Sequence, residues 1–375
     1  VSSTLKQVYI NKTVIDATRE RISYVFDEFE NIIVSVSGGK DSTVLAHIVL
    51  QEAHRRGRKV GIFFLDEEVV YDSTIKQVEY LMEMYPENTT KLWLQVEFNL
   101  TNATSLTENY LKCWEKGKHK IWMRSKKAFA IQQKPWDEAK ETIRNKDVGL
   151  DFYAVLDNFE NSRENTAFLV GLRATESPNR WRAVSKNPGY KNVFWCTGKK
   201  HGNCAFYPLY DWNFHDIWKY IYDSQLRYSK IYDYMYKKGM GIQEIRVSSL
   251  IHEKSFKALV ELPEFEPDTY NKLLKRVKGV SVGNLYGKDS KMLKVSKLPK
   301  NFRTWIEYRD FLLATYPDDE KREIFAKRFS NHLENRYVAR QQCRQLVLND
   351  IENNLPIDNK PDPRELTLQK WRELL

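Results

Sequence analysis

Apolar residues alternate between two rhythms along the first part of the chain. Between Thr13 and Glu30, residues Val14, Ile15, Ile22, Val25 and Phe26 fall on one side of a helical repeat, which predicts an amphipathic helix. That rhythm stops at Asn31. Ile32-Ile33-Val34-Ser35-Val36 follows as a β-branched run of the kind that forms a parallel strand buried on both faces. Gly38-Gly39 breaks the run, and helical spacing returns from Asp41 to Arg56, with Val44, Leu45, Ile48 and Val49 on one side and Gly57 as the stop. Val60–Leu65 predicts a second buried strand, Ser73–Met84 a further helix, Leu92–Phe98 a third strand and Ala167–Leu172 a fourth. Strand, loop, helix and strand in this order open a parallel α/β sheet.

The stretch Thr101–Asn165 has no clean strand pattern and reads as an insertion of helices and loops over the sheet edge. From about Tyr228 the pattern is mostly helical. The expected organisation is an N-terminal helix in residues 1–30, an α/β domain over 31–227 carrying the insertion at about 101–165, and a mainly helical domain over 228–375. The tail Asn353–Pro363 reads as a loop before a last short helix, and no internal repeat is visible.

A chain of 375 residues, 42% hydrophobic and 29% charged, can bury a large core and fits a soluble globular protein. No apolar run approaches the roughly 20 residues that cross a bilayer. Val1–Lys6 lacks a secretory pattern, so cytoplasmic residence with no membrane attachment is the expectation. The net charge of +10 favours an anionic partner. The four cysteines, Cys113, Cys196, Cys204 and Cys343, include no Cys-x-x-Cys pair. They suggest no disulfide scaffold, zinc site or iron–sulfur cluster.

The strongest chemical signal is Ser35-Val36-Ser37-Gly38-Gly39-Lys40-Asp41-Ser42, at the junction of a strand and a helix. Glycines let backbone N–H groups approach a phosphate, and the helix N-terminus adds donors and partial positive charge. Ser37 and Ser42 add hydroxyls, Lys40 adds a full charge, and Asp41 is expected to cap the helix. The spacing is not that of a Walker A loop. Gly287-Lys288-Asp289-Ser290 repeats part of the motif without the second glycine or the strand, and reads as a surface loop.

Asp66 follows the second strand, at the carboxyl edge where open α/β sheets bind ligands. It is a candidate for a ribose hydroxyl or, with Glu68, for Mg²⁺; Glu67 extends the acidic cluster. After the fourth strand comes Gly171-Leu172-Arg173-Ala174-Thr175-Glu176-Ser177-Pro178-Asn179-Arg180. Its two arginines can clamp an anion, with Glu176 orienting one of them. Lys40, Asp41 and Arg173 are the candidate catalytic set. In Pro208–Trp218, Trp212 and Trp218 read as packing residues, and Asp216 lies in a helix's first turn.

Ser37–Ser42 resembles the PP-loop motif Ser-Gly-Gly-x-Asp-Ser of the ATP pyrophosphatase and phosphoadenosine-phosphosulfate (PAPS) reductase superfamily. Gly171–Arg180 is similar to that group's Gly-x-Arg-x-x-Glu-Ser-x-x-Arg stretch, and Pro208–Trp218 to its Pro-Leu-x-Asp-Trp…Asp-Ile-Trp segment. Further on, Gly279-Val280, Gly283–Gly287, Leu298-Pro299, Thr304-Trp305, Tyr308 and Phe311–Thr315 resemble the branch exemplified by immunoglobulin-binding regulator A. The resemblance implies a parallel-sheet PP-loop domain of the adenine nucleotide alpha hydrolase-like, Rossmann-like class, with a mostly helical C-terminal region. It implies an adenine nucleotide ligand (ATP or a related adenosine phosphate) with Mg²⁺, and a ParB-like or sulfiredoxin-like protein partner. One departure stands out. The reductases' Glu-Cys-Gly-x-His nucleophile is missing, and the only late thiol is Cys343 within Ala339–Leu346.

Three functions remain open on the sequence. The first is ATP cleavage at the α-phosphate, adenylating an acceptor and releasing pyrophosphate. The second is nucleic-acid binding or modification, through residues 112–127 with Trp114 and Trp122 and residues 186–201 with Tyr190, Phe194 and Trp195. The third is a non-catalytic nucleotide-dependent regulator.

Overall fold

The structure, a computed structural model, describes residues 10–105, 108–185, 189–242, 244–280, 298–351, 353, 355–362 and 371. The chain divides into two units, residues 1–98 with 124–247, and residues 99–123 with 248–375.

In the first unit, helix α1 (Val14–Glu28) starts where Thr13 Oγ1 accepts the Asp16 N–H at 3.1 Å, and it buries Ile22, Val25 and Phe26. Strand β1 (Asn31–Ser35) leads through the glycine loop into α2 (Lys40–Arg55). Strand β2 (Val60–Leu65), helix α3 (Asp72–Glu83) and strand β3 (Thr89–Leu94) follow. All six residues of β2 are buried, as expected of a strand covered on both faces. Strands β4 (Phe98–Thr101) and β5 (Tyr110–Cys113) form a small sheet of their own, which apart from Phe98 belongs to the second unit. Helix α4 (Phe152–Asn161), strand β6 (Thr166–Val170), helix α5 (Pro178–Ser185), strands β7 (Cys196–Gly198) and β8 (Cys204–Phe206), and helices α6 (Phe214–Asp223) and α7 (Ile231–Lys237) complete the unit. The main sheet has the order β3-β2-β1-β6-β8-β7. Every neighbouring pair in it is parallel except β7 with β8. Val34 stands in register between Ile62 and Leu169, and the apolar face of α2 packs with these strands in one core.

The predicted strand Leu92–Phe98 is divided. Gln95 leaves the ladder: its N–H donates to Ile131 O at 2.9 Å, and its side-chain oxygen accepts the Lys127 N–H at 2.8 Å. The predicted insertion is not strandless either, since it contains β5. The hairpin β7–β8 has no counterpart in the sequence reading. Its strands are three residues long, and its turn relies on positive φ at His201 and Gly202. The expected boundary at 227 falls inside the first unit, which runs to Val247 and also holds α1. Gly283–Gly287, Gly287–Ser290 and the expected last helix lie outside the described residues, apart from residue 371.

The second unit is mostly helical: α8 (Phe256–Phe265), α9 (Pro267–Arg276), α10 (Trp305–Ala314), α11 (Asp319–Phe329) and α12 (Arg336–Val347). Trp305, Ala339 and Cys343 form one cluster; Tyr316, Phe325, Phe329 and Leu346 form another. Residues 99–123 are tied into this unit. Arg276 Nη2 donates to Lys112 O at 2.6 Å, Asn349 Nδ2 to Ser105 O at 2.9 Å, and the Ala103 N–H to Ile251 O at 2.9 Å. Gly279, at φ +93°, lies so close that a Cβ would stand 2.3 Å from Thr104 O. No helix among the described residues is long and apolar enough to cross a membrane.

Candidate functional site

The loop between β1 and α2 is built by its two glycines in different ways. Gly38 takes φ +70° against α3, where a Cβ would lie 2.8 Å from Thr74 Cγ2 and 2.9 Å from Thr74 O. An L side chain is therefore excluded twice, by conformation and by space. Gly39 is the N-cap of α2 and supplies no side-chain cap, so the helix opens with first-turn N–H groups that lack intrahelical partners. The two hydroxyls brace the loop. The Ser37 N–H donates to Ser42 Oγ at 3.2 Å, and Ser42 Oγ donates to Gly39 O at 3.1 Å.

Asp41 does not cap the helix. Its Oδ2 takes Lys40 Nζ at 2.9 Å, and its Oδ1 takes Arg173 Nε. Gly171 makes this meeting possible at the end of β6, since a Cβ there would already be 3.2 Å from the Asp41 carbonyl and the Ser42 nitrogen. Arg173 Nη2 donates to Glu176 Oε1 at 2.9 Å, and Glu176 Oε2 pairs with Arg180. Lys40, Asp41, Arg173, Glu176 and Arg180 thus form one line of alternating charges, three positive and two negative. Lys40 and Arg173 are buried and Arg180 is exposed. Burial lowers the pKa of the Lys40 ammonium against the opposing pull of Asp41.

Sequence reasoning missed Tyr232. Its hydroxyl accepts the Lys40 N–H at 3.0 Å from 192 residues away. No local pattern marks it; only the packing around it could. Its ring meets Trp218 edge-on at 5.5 Å, and Trp218 meets Tyr228 at 5.1 Å. The Pro208–Trp218 segment is therefore scaffolding. Trp212 Nε1 donates to Thr18 Oγ1 at 2.8 Å, Asp211 pairs with Arg21 at 2.5 Å, and Asn213 with Asp216 forms a capping box at the start of α6.

Asp66 stands at the carboxyl end of β2, as expected, but the protein's own donors use its carboxylate. Oδ2 accepts Trp93 Nε1 at 2.9 Å and Gln95 Nε2 at 2.8 Å, while Oδ1 accepts the Glu68 N–H at 3.1 Å and the Arg124 guanidinium. Arg124 also donates to Glu68 O at 2.8 Å. Asp66 and Glu68 are fully buried. Mg²⁺ does not fit this arrangement, because a guanidinium already neutralises Asp66. At the position where the sequence led us to expect a ribose ligand or, with Glu68, a metal ligand, the Asp66 carboxylate is thus shared among four protein donors. Glu67 is pushed up to about 7 by burial, with the charge of Asp66 adding to the effect.

Among the aromatic residues of the basic segments, Trp114 and Trp195 serve the core, whereas Phe194 is 48% exposed. Trp114 is fully buried, edge-on to Trp122 at 5.4 Å. Trp195 packs on Phe206 at 5.3 Å and on Tyr24 at 6.2 Å. Residues 186–188 of the second segment lie outside the described residues. The buried Trp114 and Trp195 indoles cannot stack on bases. All four cysteines are buried. Burial pushes Cys204 to about 11 and Cys343 to about 12, so neither offers a thiolate nucleophile.

Residues 31–239 match the family model of the phosphoadenosine phosphosulfate reductase domain, and residues 239–356 match a domain of unknown function. The chain is 27% identical over 315 residues to the uncharacterized protein YbdN of Escherichia coli (strain K12), covering 81% of this chain and 76% of YbdN. It is 23% identical over 219 residues to the adenosine 5'-phosphosulfate reductase of Staphylococcus saprophyticus, covering 58% of this chain and 72% of that protein. Among solved structures it is similar to the PAPS reductase of Candida auris in a phosphate complex, at 12% identity and a TM-score of 0.34, over 61% of this chain and 94% of that one. It is also similar to Candida glabrata FMN adenylyltransferase with FAD and inorganic pyrophosphate, at 14% identity and a TM-score of 0.35, over 62% of this chain and 66% of that one. With more than half of its length inside the first match, and with that match containing both the glycine loop and the paired arginines, the chain belongs to the phosphoadenosine phosphosulfate reductase domain family.

Proposed function

We propose that this chain is a PP-loop enzyme that binds ATP, or a related adenosine phosphate, and cleaves it at the α-phosphate. The observation that carries the reading is the pre-shaped Ser37–Ser42 loop at a helix start whose N-cap, Gly39, has no capping side chain, backed by the cations Lys40 and Arg173. In the reaction an acceptor's nucleophilic atom bonds to the α-phosphorus. The bond from that phosphorus to the bridging oxygen breaks, and pyrophosphate leaves with the electron pair. The acceptor emerges adenylated. The chain's contribution is positioning and electrostatic stabilisation. First-turn N–H groups and Ser37 hold phosphate oxygens. Lys40 and Arg173, kept in place by Asp41, balance the charge that builds on the leaving group. Arg180, at the exposed end of the charged line, meets the outer phosphates or an anionic acceptor. No step needs a thiol, which agrees with four buried cysteines.

Calorimetry with ATP and with its α,β-methylene analogue tests the reading. Both should bind, and the double variant Lys40→Ala, Gly39→Val should lose both while keeping its thermal transition. Equal affinity in the variant and the natural chain would remove the proposal. Pyrophosphate release on incubation with candidate acceptors then separates an enzyme from a nucleotide-dependent regulator.

A further inference from the structure

The Tyr232 hydroxyl occupies an unusual position. The residue is 3% exposed, and its hydroxyl lies against the start of α2. Its oxygen accepts the Lys40 N–H at 3.0 Å and lies 3.3 Å from where a Cβ on Gly39 would be. A phenol has one proton to give as well as lone pairs to offer. The oxygen accepts from the backbone at Lys40, with that of Val247 also acting on it. Among the described residues, no acceptor takes the proton. Burying such a donor without a partner costs on the order of 1–3 kcal/mol, so the arrangement needs a reason. The ring cannot swing away to find one. It is wedged edge-on against Trp218, which Tyr228 braces from behind, and Tyr228 is itself held by its hydrogen bond to Asp233 at 2.8 Å. Lys40 Nζ lies 5.7 Å from the centroids of both the Tyr232 and the Phe214 rings. The ammonium and the phenol therefore border the same small space above the glycine loop.

We propose that Tyr232 is a ligand of the bound anion: it accepts the Lys40 N–H and donates its own proton to a phosphate oxygen seated in the Ser37–Ser42 loop. The inference rests on the nucleotide reading above and adds a contact to it. Burial favours the neutral phenol and outweighs the backbone N–H groups of Lys40 and Val247, so the donor stays loaded with its proton throughout the neutral range.

Tyr232→Phe keeps the ring and its packing and removes only the hydroxyl. The two possible roles predict opposite signs. If the hydroxyl donates to the anion, affinity for ATP and for inorganic pyrophosphate falls about ten- to a hundredfold, the range for a hydrogen bond to a charged group. If it merely caps Lys40, its removal frees the Lys40 N–H for the anion, and affinity stays equal or rises; that result overturns the inference and leaves the nucleotide reading standing. If the natural chain binds neither ligand, the nucleotide reading falls first and this contact falls with it. A second measurement needs no variant: saturating pyrophosphate should shift the Tyr232 ¹³Cζ resonance of the natural protein. An unmoved resonance alongside proven binding would equally overturn the contact.

Discussion

Replacing Arg173 with alanine removes the central cation from a line of five charges. The guanidinium is buried, and it serves two carboxylates at once, Asp41 through Nε and Glu176 through Nη2. Deleting one partner of a buried ion pair typically costs about 3–5 kcal/mol. Here Asp41 keeps Lys40 and Glu176 keeps Arg180, so neither carboxylate is left alone, and the expected loss is nearer 2–4 kcal/mol. For a unit of this size that lowers Tm by roughly 4–16 °C. If Arg173 also faces the anion, the folded fraction should lose a further ~2–5 kcal/mol of binding, at least thirtyfold in Kd. Arg173→Lys keeps the charge but not the fork, and can meet only one of the two carboxylates well, so it should recover part of each loss. Thermal melting and ATP calorimetry on one preparation read both quantities. A lower Tm with unchanged affinity would reduce Arg173 to a structural tie. An unchanged Tm would refute the buried charge line itself.

Two further outcomes follow from the same geometry. Gly38→Ala should cost about 2–5 kcal/mol, from a left-handed backbone conformation and from contact with Thr74, and should abolish ATP binding; Gly39→Ala, at φ −82° with its nearest contacts at 3.3 Å, should be milder, and the reverse order in a melting series would contradict the loop geometry. Glu67 has a folded pKa of about 7, above its ordinary value, so it binds its proton more tightly when folded, and stability should fall as pH rises from about 4.5 to 7, by on the order of 2–3 kcal/mol; Glu67→Gln should flatten that part of the stability-against-pH curve, and an unchanged slope would assign it to other groups.

Most of the first unit's core was legible because its signals are local. An unbroken β-branched run followed by two glycines and a helical stripe admits few folds, and β2 spans the residues predicted for it, Val60–Leu65. What escaped depends on distant partners. Nothing within Leu92–Phe98 says that Gln95 will turn aside to meet Asp66 and Lys127. Asp41 reads as a cap because aspartate usually caps; only the arrival of Arg173 from β6 makes it an ion-pair centre. Asp66 looked available because its neutralising partner, Arg124, lies 58 residues further along the chain. Tyr232 is invisible for the same reason, while β7 and β8 are too short to show a period.

The excursion of residues 99–123 has a consequence for anyone who cuts this protein. The two family matches meet at residue 239, and that point invites dissection there. Yet the first unit runs on to Val247, and midway it lends 25 residues, 99–123, to the second. A fragment ending near 239 would carry that loan without its holder: the backbone at Ser105 and Lys112 would lose Asn349 and Arg276. Such a fragment leaves residues 99–123 without the partners that hold them, and aggregation is its expected fate. Neither half is a module in the genetic sense. A single cut anywhere in the chain therefore cannot separate the two units cleanly.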